Sequence, residues 1–196
     1  MGSFKELVQC GILHYHAAML ITLVDEHDQP QGPMEKLQAH QEGRLHLAFS
    51  IFLLRKRKGQ WETLLQQRHA DKYHSGGLWT NSCCSHPGWG EYLTQAAKRR
   101  LYEELGIETP LKAVGYFIYR AELGNGLIEH ELDHVLVGEW EGDECFPHPE
   151  EIAAIQWMGI SELQGALKEK PGKFTVWLPG ALELVVSHAL RGMAPP

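Results

Sequence analysis

Arg99-Arg100-Leu101-Tyr102-Glu103-Glu104-Leu105-Gly106-Ile107 is the stretch on which the fold turns. It closes a segment opening near Glu91, in which Leu93, Ala97, Arg100 and Glu104 recur at i, i+4, i+7 and i+11, the spacing of one helix face. Gly106 stands just past the last periodic residue, where a left-handed stop is easiest. Read on their own, Arg100 and Glu104 form an i,i+4 ion pair worth about 0.2–0.5 kcal/mol.

On both sides of this helix the chain reads as strands. Residues 18–24 are apolar and end in a polar, turn-forming stretch, 25–32. Residues 45–54 and 61–67 flank a charged connection ending in Gly59-Gln60, which predicts an antiparallel hairpin. Residues 115–123 and 127–140, joined through Gly124-Asn125-Gly126, predict a second one. Residues 155–158 suggest a short strand, Ser161 with Gln164 a capping box for a helix through Leu167, and residues 179–190 a last helix. The expected class is α/β (α+β): a mixed β-sheet packed between helices.

Composition narrows the function. A chain of 196 residues with 43% apolar and 22% charged side chains is one globular domain with a buried core. A net charge of −7 has the wrong sign for coating nucleic acid or an anionic membrane, so an anionic ligand needs a local basic pocket. The longest apolar run, 45–54, is broken by His46 and Ser50 and falls short of the roughly 20 residues of a spanning helix. Cys83 and Cys84 are adjacent, unlike a disulfide framework, and no signal-peptide pattern opens the chain, so the expectation is a soluble, cytoplasmic protein. Residues 1–17 carry no assignable role, and residues 18–196 form the domain. The unusual number is 12 histidines.

Glu129, Glu131 and Asp133 are spaced by two in a strand, so their carboxylates share one face and repel one another. Such a row is either solvated or gathered by a cation, and His40, His46 and His86 are the candidate nitrogen ligands. Each of these histidines taken singly also reads as a hydrogen-bonded structural residue. Cys84 lies two residues before His86 in a loop of small polar residues; it is either an inert buried thiol or a reactive one whose pKa a neighbour controls.

Residues 99–107 resemble the second half of the Nudix box, with Glu91 at the matching distance before Arg99. Arg100 stands where the box has a helical glutamate and Ser85 where it begins with glycine, a pattern suited to holding a diphosphate without cutting it. Together with Arg44-Leu45-His46-Leu47-Ala48-Phe49-Ser50, Trp79-Thr80-Asn81-Ser82-Cys83-Cys84-Ser85-His86-Pro87 and Glu129-His130-Glu131-Leu132-Asp133, the chain resembles the type 1 isopentenyl-diphosphate delta-isomerases, a branch of the Nudix superfamily. The resemblance implies that His40, His46, His86, Glu129 and Glu131 hold one Mn2+ or Zn2+, and that Glu104 is the protein's ligand to a Mg2+ on the substrate diphosphate. It implies Lys36, Arg68, Lys72 and Arg100 as the cations around a small-molecule prenyl diphosphate. Cys84 and Glu131 become an acid–base pair, Tyr119 a partner of the catalytic carboxylate, and Trp177 an indole facing a carbocation-like transition state, or else a core residue. The rival readings are a Nudix hydrolase of a nucleoside or prenyl diphosphate, and a non-catalytic diphosphate-binding module. Oligomeric state is not legible.

Overall fold

A computed structural model of the chain describes residues 19–142 and 144–190; residues 1–17, to which the sequence assigned no role, lie outside them. The hairpin β1 (Leu20–Val24) and β2 (Pro30–Glu35) leads into a short helix, α1 (Lys36–Glu42). Glu35 caps α1 by accepting the Gln38 amide at 2.8 Å, and Gly43 ends it at φ 62°. Next come β3 (His46–Arg57) and β4 (Gln60–Arg68), reversed through Lys58 and Gly59 at φ 49° and 80°, the backbone a tight hairpin turn requires. Two short strands, β5 (Trp79–Thr80) and β6 (Cys83–Ser85), precede α2 (Leu93–Leu105), which ends on Gly106 at φ 68°. The long hairpin β7 (Lys112–Gly124) and β8 (Leu127–Glu139) is followed by β9 (Ile152–Gly159), α3 (Ile160–Glu169) and α4 (Leu178–Leu184), the last continued by a π-helical turn over Val185–Leu190.

β3 is the spine of the sheet. Along one side it runs parallel to β8 from His46 opposite Glu131 to Leu54 opposite Glu139. Along the other it meets β1 at His46, β6 over Phe49 to Ile51 and β4 from Leu54 onward. β7 lies outside β8, and β9 outside β4. Alternation then sorts the apolar residues. Phe52, Leu54, Val135 and Val137 pack beneath α3 and α4 with Leu163, Leu178 and Leu182, while Phe49, Ile51, Leu53 and Leu136 pack under α2 with Ala97, Leu101 and Leu105. A strand buried on both faces needs apolar side chains in both phases, which is why residues 45–54 read as a nearly unbroken run. Among the described residues no helix is long and apolar enough to cross a membrane.

The mixed sheet, both hairpins and the box helix match the expectation. Three details differ. The polar stretch 25–32 is a turn only to Gln29; Pro30 begins β2, where prolines are tolerated because, among the described residues, this strand is at the edge and pairs with β1 alone. α1 has no counterpart in the sequence reading. Ser161 does not cap α3: β9 runs directly into the helix, Gly159 is the N-cap residue, and no side chain caps that end. Leu101 is fully buried on α2, so Leu101→Ala is expected to cost about 2–5 kcal/mol, read as a lower urea midpoint with an unchanged slope.

Candidate active site

Strand register assembles the site. His46, Ala48 and Ser50 alternate onto one face of β3, and the parallel pairing sets Glu131 beside His46 and Asp133 beside Ala48. On the opposite edge the antiparallel pairing sets Cys84 beside Ser50, while Cys83, one residue earlier, turns into the α2 core. β7 adds Tyr119 opposite Glu131. α1 delivers His40, and the loop after β6 delivers His86, both buried. Residues 40, 46, 84, 86, 119, 129 and 131 thus meet on one face.

His40, His46, His86, Glu129 and Glu131 each offer a ligand atom, and these atoms all lie within 4.8 Å of one another. His40 Nδ1 donates to the Lys36 carbonyl at 2.7 Å, since a carbonyl only accepts, and His46 Nδ1 donates to the Arg44 carbonyl at 2.8 Å. The Nε2 atoms are thereby turned inward. Burial lowers the His40 pKa, so its ring is neutral and Nε2 holds a lone pair 3.3 Å from Glu129 Oε2. A cation between these two atoms would satisfy both. Among the described residues, His46 Nε2, His86 Nδ1 and Glu129 Oε2 are buried without a hydrogen-bond partner, which also fits a metal. Burial and the charge of Glu131 push the Glu129 carboxyl well above its usual range, a penalty that a bound cation reverses. Burial would raise Glu131 as well, but the imidazoles of His46 and His86 outweigh it and hold Glu131 ionised. His86 Nε2 is 2.8 Å from Glu131 Oε1, and the Tyr119 hydroxyl donates to Oε2 at 2.5 Å. Asp133, the third of the acidic row, stays outside the cluster: it accepts the Ser50 hydroxyl at 2.8 Å, and burial pushes its carboxyl up.

The adjoining pocket is lined by Lys36, Arg68, Lys72, Arg100, Cys84 and Trp177, together with Glu104. Arg100 donates to Glu104 at 2.6 Å and to Glu103 at 3.0 Å, and lies 3.4 Å from Glu151, which also binds Lys72. Gln66 donates to the second Glu104 oxygen at 3.1 Å. Arg68 reaches the His74 carbonyl at 3.3 Å and Cys84 Sγ at 3.7 Å, and stacks 5.5 Å over the Trp177 ring. Burial pushes the Cys84 thiol up to about 12, although Arg68 pulls against it, so the thiol carries its proton at neutral pH. Trp177 is buried, its indole N–H donating to Asn81 Oδ1 at 3.2 Å; it is a packed residue and a pocket wall at once.

All of the expected site residues therefore gather at one centre. His130 and His134 lie on the other face of β8, against the Gly43 carbonyl and Asp28. His74 went unread: it is buried in the pocket, 3.2 Å from Glu129, and burial lowers its pKa to about 2. Glu151 and Asn81 also went unread as site residues. A lone histidine or glutamate in a polar loop carries no periodicity, so no local signal separates these from surface residues.

Comparison with known proteins points to one family. Residues 44–178 match the model of the NUDIX domain. The isopentenyl-diphosphate Delta-isomerase of Photobacterium profundum is 47% identical over 170 residues, covering 86% of this chain and 94% of that protein. An isopentenyl-diphosphate Delta-isomerase 2 of Aromatoleum aromaticum is 44% identical over 173 residues, covering 88% and 89%. The crystal structure of a Deinococcus radiodurans protein superposes with a TM-score of 0.68 at 18% identity, over 84% of this chain and 97% of that one, a likeness of fold. With a Nudix model spanning most of the chain and such relatives matched over most of both lengths, the chain belongs to the isopentenyl-diphosphate Delta-isomerase family of the Nudix superfamily.

Proposed function

We propose that the chain interconverts isopentenyl and dimethylallyl diphosphate, adding a proton at one carbon of the alkene and removing one from another, with no net change in composition. The observation that carries this reading is the pairing of a protonated thiol, Cys84, with an ionised carboxylate, Glu131, on one sheet face beside a basic pocket in an acidic protein. An alkene is a very weak base, so its protonation needs a donor in a site that excludes water. Cys84 and Glu131 act as the acid–base pair, and the Tyr119 hydroxyl fixes Glu131 from its other oxygen. The π face of Trp177 stabilises the cationic transition state, its ring held by Asn81.

Lys36, Arg68, Lys72 and Arg100 receive the diphosphate, the two arginines offering forked donors. His40, His46, His86, Glu129 and Glu131 hold one Mn2+ or Zn2+, both suited to mixed imidazole and carboxylate donors, and Glu104 contributes to a Mg2+ site at the diphosphate. Bound there, these ions supply positive charge that offsets the clustered carboxylates and the diphosphate. The free thiol suits a reducing, cytoplasmic setting within isoprenoid biosynthesis.

Hydrolysis is the competing reading for a Nudix domain. Arg100, ion-paired to Glu104, opposes it by putting a cation where the hydrolytic box has a carboxylate. Incubated with isopentenyl diphosphate, Mg2+ and heavy water, the purified protein is expected to yield dimethylallyl diphosphate and to incorporate deuterium into recovered substrate. Release of phosphate without deuterium incorporation overturns the isomerase reading.

A further inference from the structure

We propose that His74 is a positioning residue for the metal centre, holding one oxygen of Glu129 so that the other is presented to the cation. The inference rests on the reading that the three histidines and two glutamates bind a metal. Glu129 divides its carboxylate: Oε1 lies 3.2 Å from His74 Nε2, while Oε2 lies 3.3 Å from His40 Nε2 with no hydrogen-bond partner among the described residues. His74 itself is not among the five residues whose ligand atoms lie within 4.8 Å of one another. Its contact is therefore with Glu129, one of the clustered residues, through the oxygen that does not face His40. The ring's other nitrogen, Nδ1, is 3.3 Å from the Ser75 hydroxyl, which can donate to it and so leave the proton on Nε2, facing the carboxylate.

The surrounding structure fixes the ring in this pose. Its side chain is 6% exposed, and the Trp177 ring meets it edge to face at 6.2 Å. The next residue, Ser75, adopts φ 52°, a left-handed backbone that a non-glycine residue enters at a cost. The turn is closed so tightly that a Cβ on Gly76 would fall 2.4 Å from the Ala70 carbonyl oxygen. This costly local geometry turns residue 74 inward. Partners of ligating carboxylates orient them, and losing one typically weakens metal affinity about 10- to 100-fold.

The test is chelator competition for Zn2+ on the intact protein, with His46→Ala as the ligand control. His74→Ala is expected to weaken Zn2+ binding by about 10- to 100-fold, and His74→Gln, which keeps an N–H donor near Nε2, to restore most of it. Once loaded with Co2+, His74→Ala should give the same visible absorption as the parent protein, because the ligand set is unchanged. Parental Zn2+ affinity in His74→Ala, failure of His74→Gln to recover affinity, or an altered Co2+ spectrum each overturns the proposal. If His46→Ala also keeps full affinity, the five-residue centre falls and the proposal with it, whereas loss in His46→Ala alone removes only the role of His74.

Discussion

Glu131→Gln is expected to lower isomerisation by on the order of 10⁴-fold, the upper range for a positioned proton-transfer group. The substitution preserves shape and removes charge. Glu131 is ionised despite its burial because His46 and His86 flank it, and its two oxygens already serve His86 and the Tyr119 hydroxyl. An amide has one acceptor oxygen, so one of those neighbours meets an NH2 group instead, and the cluster loses one of its two carboxylates. Two readouts should move together: deuterium exchange from heavy water and metal content after dialysis. Near-parental exchange in Glu131→Gln would remove this carboxylate from the mechanism.

Cys84→Ala is expected to cost on the order of 10³-fold in the same exchange assay, but with metal content retained. The difference follows from geometry. Cys84 lies across β3 from the carboxylate strand, opposite Ser50, and is not among the five clustered residues. Its partner is Arg68, which stays in place through the His74 carbonyl. Truncation at a partly exposed position removes one sulfur, so circular dichroism and the melting temperature should change little. Loss of metal in Cys84→Ala, or exchange close to the parent rate, contradicts an acid–base role for the thiol.

Local pattern carried much of the fold. The i, i+4, i+7, i+11 spacing of Leu93, Ala97, Arg100 and Glu104, with Gly106 behind it, marks α2 from helix geometry alone. The Gly124-Asn125-Gly126 turn likewise announces β7 and β8. What escaped is set by tertiary context. α1 spans seven residues, too few for a period to repeat convincingly, and β2 carries Pro30, Pro33 and Gly32, which only an edge position tolerates. The site was legible where residues share an element or a motif, as Glu129 and Glu131 do. His74 was not, because its burial is created by Trp177 and Glu129, which lie far along the chain.

The parallel pairing of β3 with β8 has a further consequence. These strands are more than eighty residues apart in the chain, and a slip of one residue would send Glu129, Glu131 and Asp133 to the α2 side and bring Ile128, His130 and Leu132 in their place. A chain paired one step out of phase has no cluster of carboxylates and imidazoles to offer a cation. Bound to the five clustered residues, a cation would by mass action stabilise only the correctly aligned sheet, so adding Zn2+ during refolding is expected to raise the yield of properly registered molecules.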